Sequence, residues 1–272
     1  MIQSSINYAK LHNNKTKNWI KEKIKCVSYL NGVPKSEDGN VVVDFKNSSL
    51  VTLCPMRFWQ DYTVFRSIGK TILQTETPAL IKEIGFLQSV DRTGRVTGET
   101  VGRIDMVLAK LGEKESIEDW CAVEMQAVYF SGKGMMSEFK AVRAQPDRPL
   151  FPTAIRRPDY RSSGPKRLMP QLQIKVPSLR RWGKTMAVVV DESFFGSIAP
   201  MKRAPHISNA DIAWFIVDYT GRDGGIEVRD IVLTTLESSV DGLTAGEPLS
   251  REAFETELKS YLAARKDKVV RI

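Results

Sequence analysis

The chain has 272 residues, 42 % of them hydrophobic, enough for one large domain or a domain with an appendage and too apolar for a disordered tail. Its 40 Lys and Arg outnumber 32 Asp and Glu, a net charge of +8 with a pI near 9.3, and such an excess favours a polyanionic partner because each neutralised phosphate releases condensed counterions. The longest apolar runs, such as "AWFIV" from Ala213 to Val217, fall far short of the ~18 residues of a membrane helix.

The opening "MIQSSINYAKLHNNK" lacks the apolar region of a signal peptide, so a soluble, cytoplasmic protein is expected. Cys26, Cys54 and Cys121 cannot all pair within the chain, and a reducing compartment is the simpler assumption. Residues 1–62 read as a separate N-terminal module, with a Lys-rich helical stretch "NKTKNWIKEKIK", a polar loop "NGVPKSEDGN" and a short strand "NVVVDF". Residues 63–272 form the main domain. In it, "RSIGKTILQT" is predicted helical, and "ALIKEIGFLQSV" a first strand that ends at the turn residues of "DRTGRVTGE".

A second strand follows in "VGRIDMVLAK", with Gly102, Ile104, Met106 and Leu108 on one face and Arg103, Asp105 and Val107 on the other. After the polar "LGEKESIED", the run "DWCAVEMQAVYF" reads as a third strand, in which Glu124 and Gln126 share a face. A hairpin of these strands brings Asp105 beside Glu124. Two adjacent carboxylates raise one another's pKa unless a cation neutralises them. A hard divalent ion such as Mg2+ takes one or two carboxylates and completes its shell with water and phosphate oxygens. It lowers the pKa of bound water and stabilises charge on a phosphodiester under in-line attack. The competing reading is the solvated face of an edge strand. Cys121, one strand position from the site, reads as a small buried hydrophobe.

Downstream, "KGMMSEFKAV" is helix-forming, and basic residues then crowd together: Arg143, Arg148, Arg156, Arg157, Arg161, Lys166, Arg167, Lys175, Arg180, Arg181 and Lys184. Prolines from Pro149 to Pro177 divide this region into expected loops, whose arginines can clamp phosphates or fork onto guanine edges. The strongest candidates for DNA contact are Arg156, Arg157, Arg161, Lys166, Arg167, Arg180 and Arg181. "KTMAVVVDESFF" and "DIAWFIVDY" carry the continuous apolar runs of central strands, "DGG" turns into "IEVRDIVLTTLE", and a last helix starts at Ser250 with Phe254, Leu258, Tyr261 and Leu262 on one face. The expected fold is α/β: a mixed central sheet flanked by helices, with a small N-terminal appendage.

The trio Asp105, Glu124 and Gln126 resembles the Asp…Glu-x-Lys signature of the PD-(D/E)XK nuclease superfamily, with Gln in place of Lys. The longer "VEMQAVYFSG" and the helix after it resemble the active-site strand and following helix of NotI-type restriction endonucleases, in which Glu-x-Gln is usual. "CVSYLNGVPKSEDGNVVVDFKNSSLVTLCPMRF", "RPDYRSSGPKRLMPQL" and "DIAWFIVDY" resemble further blocks of that family.

The resemblance implies a type II restriction endonuclease, Mg2+-dependent, with Asp105 and Glu124 as metal ligands. Gln126 and the additional carboxylate Glu83 complete the catalytic set. It also implies double-stranded DNA as partner and a cognate DNA methyltransferase alongside. One constellation per chain implies one scissile phosphate per subunit, hence a homodimer on a palindromic site. The family's N-terminal module holds iron through four cysteines. Here Cys26 and Cys54 match two positions and the other two have no cysteine counterpart. Whether a structural iron or zinc is bound stays open, since soft tetrahedral sites need four ligands; His12 could supply a third. Two other readings remain: a structure-specific repair or resolvase-type nuclease of the same superfamily, and a catalytically inactive DNA-binding module.

Overall fold

A computed structural model describes residues 28–30, 34–37, 40–43, 50–52, 55–130, 158–220, 225–245 and 249–264, with the single positions 132, 140 and 144. Four short strands come first: β1 (Ser28–Leu30), β2 (Pro34–Glu37), β3 (Asn40–Val43) and β4 (Leu50–Thr52). β2 pairs with β3 and β1 with β4, both antiparallel. The stretch read as a polar loop thus supplies a strand. The β-branched run Val41 to Val43 favours a strand by its composition, and Pro34 stands at the first position of β2, where a missing N–H is tolerated. The predicted Lys-rich helix, His12, Cys26 and Cys54 lie outside the described residues.

Helix α1 (Thr63–Ile68) runs on through a π-turn at Gly69–Leu73, which stops at Gln74 in the left-handed region (φ 53°). The main sheet then begins with β5 (Ala79–Val90), β6 (Val96–Leu111) and β7 (Ile117–Met125). β5 matches the predicted first strand, and β6 starts earlier than the sequence suggests, because the turn is confined to the residues between Asp91 and Arg95. There the Asp91 carboxylate accepts from the N–H groups of Thr93 and Arg95, and Gly94 takes φ +82°. β7 pairs with β6 only from Leu111 to Met106, so the far half of the β5–β6 ribbon extends past the sheet.

After the two-residue pair β8 (Tyr129–Phe130) and β9 (Pro158–Asp159), a short helix Tyr160–Ser163 passes through a π-turn at Gly164–Leu168 into α2 (Met169–Arg181). This corrects the expectation of proline-broken loops between 158 and 181. Pro165 and Pro170 occupy first-turn positions, where no backbone donor is needed, and only Pro177 lies inside the helix. β10 (Met186–Asp191), β11 (Ile212–Thr220) and β12 (Gly225–Thr234) complete the sheet, followed by α3 (Leu236–Thr244) and α4 (Arg251–Ala264).

The sheet order is β12-β11-β10-β7-β6-β5. β7, β10 and β11 are parallel and the outer strands antiparallel, so the sheet is mixed, as expected for an α/β fold. The central strands are buried on both faces, and β10 is buried at all six positions. One face carries Ala122, Val188, Trp214 and Ile216 against Leu172, Val176 and Leu179 of α2 and Leu243 of α3. The opposite face carries Met106, Val123, Val189 and Phe215 against Phe58, Val64, Phe65 and Ile68 of the α1 region. Cys121 belongs to this second layer, where burial, with the charge of Asp119, pushes its thiol up to about 12. It is an inert packing residue.

β4 is tied into this core. Val51 is fully buried in the first layer. The Thr52 carbonyl accepts from the Val128 N–H at 2.7 Å, the Thr52 N–H donates to Asp191 Oδ2 at 2.6 Å, and its hydroxyl bonds the Tyr219 hydroxyl.

Candidate active site

The β6–β7 ladder pairs Met106 with Val123, and continued by one residue it sets Asp105 opposite Glu124. On the other side, β5 pairs Lys82 with Met106 and Ile84 with Ile104, so Glu83 falls opposite Asp105. Glu83, Asp105 and Glu124 therefore form a row across three neighbouring strands, and β10 continues it with Val188 opposite Glu124. Sheet geometry puts directly opposed Cβ atoms about 5 Å apart, within reach of a shared cation.

Their surroundings differ. Asp105 is exposed, while Glu124 retains 6 % of its accessible surface and Gln126 8 %. Burial raises the Glu124 pKa above the ordinary carboxylate range, the Lys175 ammonium opposes that, and the charge of Asp105 adds to the rise. Gln126 follows the last residue of β7. Its backbone N–H donates to the Val189 carbonyl at 3.0 Å, and its side-chain Nε2 donates to the Ala127 carbonyl at 2.5 Å.

Glu83 takes φ +55°, a left-handed conformation that L residues adopt at a cost of about 1–2 kcal/mol and that clusters at functional sites. Its carboxylate turns toward Arg103, 3.3 Å from the guanidinium, with both side chains largely in solvent. So the backbone lines up three carboxylates; Glu83 turns to Arg103, while Asp105 lies near enough for its charge to act on Glu124.

Lys175 is the residue that sequence reading placed wrongly, among the basic groups of a DNA-facing loop. It is buried, and its Nζ donates to Glu124 Oε2 at 2.7 Å. The signal was present in helical spacing: Leu168, Leu172, Val176 and Leu179 form the buried stripe, and Lys175 falls on it. That signal shows only once the segment is known to be a helix.

The other basic candidates spread along the same segment. Arg161, Lys166, Arg167, Arg180 and Arg181 are exposed. Arg167 stacks on the Tyr129 ring at 3.9 Å, and Arg181 donates to Ser178 Oγ at 2.9 Å. The Arg180 guanidinium forks onto Asp211, at 2.8 and 2.5 Å, and also reaches Glu237. Arg156 and Arg157 lie outside the described residues.

Among the described residues no three His, Cys, Asp or Glu side chains form a metal-binding group. The donor set is two carboxylates, hard oxygen ligands with coordination sites left for water and phosphate. That chemistry fits Mg2+ and does not fit a soft transition metal.

The model of the restriction endonuclease NotI family matches residues 13–227, which takes in every strand of the central sheet in whole or in part, and the row across β5, β6 and β7. This chain belongs to the NotI restriction endonuclease family. It is accordingly an endonuclease, a hydrolase acting on double-stranded DNA in a restriction system. No curated protein matches the chain. Restriction endonucleases of this kind usually employ a divalent metal, which agrees with the oxygen donors of Asp105 and Glu124. Among the described residues no helix is long and apolar enough to cross a membrane.

Proposed function

We propose that the chain is a type II restriction endonuclease of the PD-(D/E)XK type, hydrolysing DNA phosphodiester bonds with Mg2+ at a palindromic double-stranded sequence. The observation that carries this reading is the β6–β7 register, which continued one residue beyond Met106 and Val123 sets Asp105 opposite the buried Glu124. A carboxylate is buried beside another only where something compensates it. Here Lys175 compensates one charge, and a cation shared with Asp105 would compensate the rest.

Asp105 and Glu124 would hold Mg2+, which when bound supplies an acidified water and neutralises charge on the scissile phosphate. Gln126, with Nε2 fixed on the Ala127 carbonyl, has its side-chain oxygen for orienting the attacking water. Glu83 stands next in the row, and its strained backbone supports a role at the site. Arg161, Lys166, Arg167 and Arg181, with Arg156 and Arg157, would contact the DNA backbone and base edges. Arg180 would do so only by sharing its guanidinium with Asp211.

One such centre cuts one strand, so a double-strand cut is assigned to a homodimer with twofold symmetry matching the site. Residues 1–62 would form the appended module on the nuclease domain 63–272. The enzyme would work in the cytoplasm beside a DNA methyltransferase of the same specificity.

Digestion of a panel of plasmids in Mg2+, with end mapping, tests the reading. Discrete cuts at one symmetric sequence are expected, abolished in Glu124→Ala and Asp105→Ala while DNA binding survives. Structure-dependent cuts would indicate a repair or resolvase-type enzyme, and no cuts an inactive DNA-binding module. Light scattering with and without DNA tests the dimer, and a monomer in both states that nicks one strand would exclude it.

A further inference from the structure

Lys175 sits in the apolar stripe of α2, one turn from Leu172 and Leu179 and next to Val176. An aliphatic residue would serve packing there at lower cost, because burying an ammonium is expensive even when it is paired. The ammonium is aimed at the site: its acceptor among the described residues is Glu124 Oε2, at 2.7 Å, and Asp105 is the next carboxylate in the row. Gln126 is neutral and donates its amide to the Ala127 carbonyl. The strand that carries the acidic ligand therefore brings no cation to it. The helix packed on that strand does.

We infer that Lys175 is a catalytic residue of the nuclease centre, supplying the ammonium from α2; this rests on the proposed assignment of Asp105 and Glu124. The side-chain charges of Asp105, Glu124 and Lys175 sum to −1. A divalent cation brings the centre to +1, and the scissile phosphodiester brings it to neutrality. The negative charge added by the attacking hydroxide then develops beside a donor already fixed in place, the condition under which such a donor is worth most. Of the three N–H donors of the ammonium the Glu124 bond uses one, which leaves two for a non-bridging phosphate oxygen and the attacking water. Hydrolysis takes one proton from the attacking water to solvent, forms a bond from its oxygen to phosphorus and breaks one bond from phosphorus to a sugar oxygen, which leaves with a proton from solvent. Lys175 transfers no proton in this scheme and acts by charge and donation.

The test compares full-length wild type, Lys175→Met and Glu124→Ala. It measures single-turnover cleavage of plasmid DNA at saturating enzyme, DNA affinity, and Mn2+ affinity by the electron paramagnetic resonance signal of free Mn2+. With Glu124→Ala inactive, Lys175→Met is expected to cut at least about 100-fold more slowly, the loss typical of removing one preorganised donor, with DNA and Mn2+ affinities within a few-fold of wild type.

Cleavage by Lys175→Met within three-fold of wild type, with Glu124→Ala still inactive, would leave the metal centre standing and overturn the role of Lys175. Mn2+ binding at least ten-fold tighter without slower cleavage would make Lys175 a competitor of the metal and overturn the role equally. Cleavage by Glu124→Ala would overturn the site assignment and this inference with it. If Lys175→Met does not fold, Lys175→Gln, which keeps a donor against Glu124 without the charge, is read by the same criteria.

Discussion

Asp105 and Glu124 stand opposite each other on neighbouring strands, one in solvent and the other 6 % exposed and hydrogen-bonded to a buried lysine. Their removal should be equally harmful to cleavage and unequally harmful to stability. Glu124→Ala leaves the Lys175 ammonium buried without its acceptor, which should cost about 3–5 kcal/mol. Asp105→Ala, at an exposed position, should stay within about 0.5 kcal/mol of wild type. Urea unfolding of the two variants measures the difference, and equal losses would mean that Lys175 finds another acceptor.

Glu83 holds φ +55° inside a strand, so the residue there matters for its backbone as well as its carboxylate. Glu83→Gly and Glu83→Ala both lose the exposed contact with Arg103, which is worth little. Only glycine relieves the left-handed strain. Glu83→Gly should therefore be more stable than Glu83→Ala by about 1 kcal/mol. Thermal unfolding of the pair checks this, and a more stable alanine variant would contradict it.

Pro177 interrupts α2 at an exposed position, where its ring removes the N–H that would bond the Gln173 carbonyl one turn back. Pro177→Ala restores that donor and relaxes the helix, against a smaller gain in unfolded-state freedom. A net stabilisation of about 1–2 kcal/mol is expected in denaturant melts. A loss of stability would contradict this.

Asp191 is buried, and burial pushes its carboxyl up to about 6, against the N–H groups of Thr52 and Phe194 that favour its ionised form. A carboxyl with a raised folded-state pKa binds its proton more tightly folded than unfolded. Its ionisation penalty is therefore absent below the unfolded value, grows as pH rises from about 4 to about 6, and is constant above. Wild type should gain up to roughly 3 kcal/mol on Asp191→Asn when the pH falls from 7 to 4. Parallel urea titrations at the two values give that difference; a difference that does not change with pH would refute the shift.

Much of this centre could be read from the chain because strand periodicity is local. The alternation around Asp105, Glu124 and Gln126 fixes which residues share a face, and a hairpin between them fixes the partner. The mixed sheet was legible for the same reason, from the apolar runs of β10 and β11. What was not legible depends on packing between distant segments. Pro165, Pro170 and Pro177 mark breaks by local rules, yet two fall in first turns, and the apolar stripe of α2 overrides the third. With the helix unrecognised, Lys175 looked like one more surface cation. The β2–β3 hairpin was missed because its polar strand is held by its partner and carries no pattern of its own.

The three bonds of Thr52 also bear on the order in which the chain assembles. Its acceptor Asp191 and its hydroxyl partner Tyr219 lie 139 and 167 residues further along the sequence. Contacts of such separation form only after the intervening chain has lost most of its freedom, and they slow folding accordingly. During synthesis β4 leaves the ribosome long before β10 and β11 exist, so it must wait unpaired on that side until the sheet is nearly complete. β4 is therefore expected to lock late, and a chain shortened at its C-terminal end before Tyr219 could not close all three bonds of Thr52.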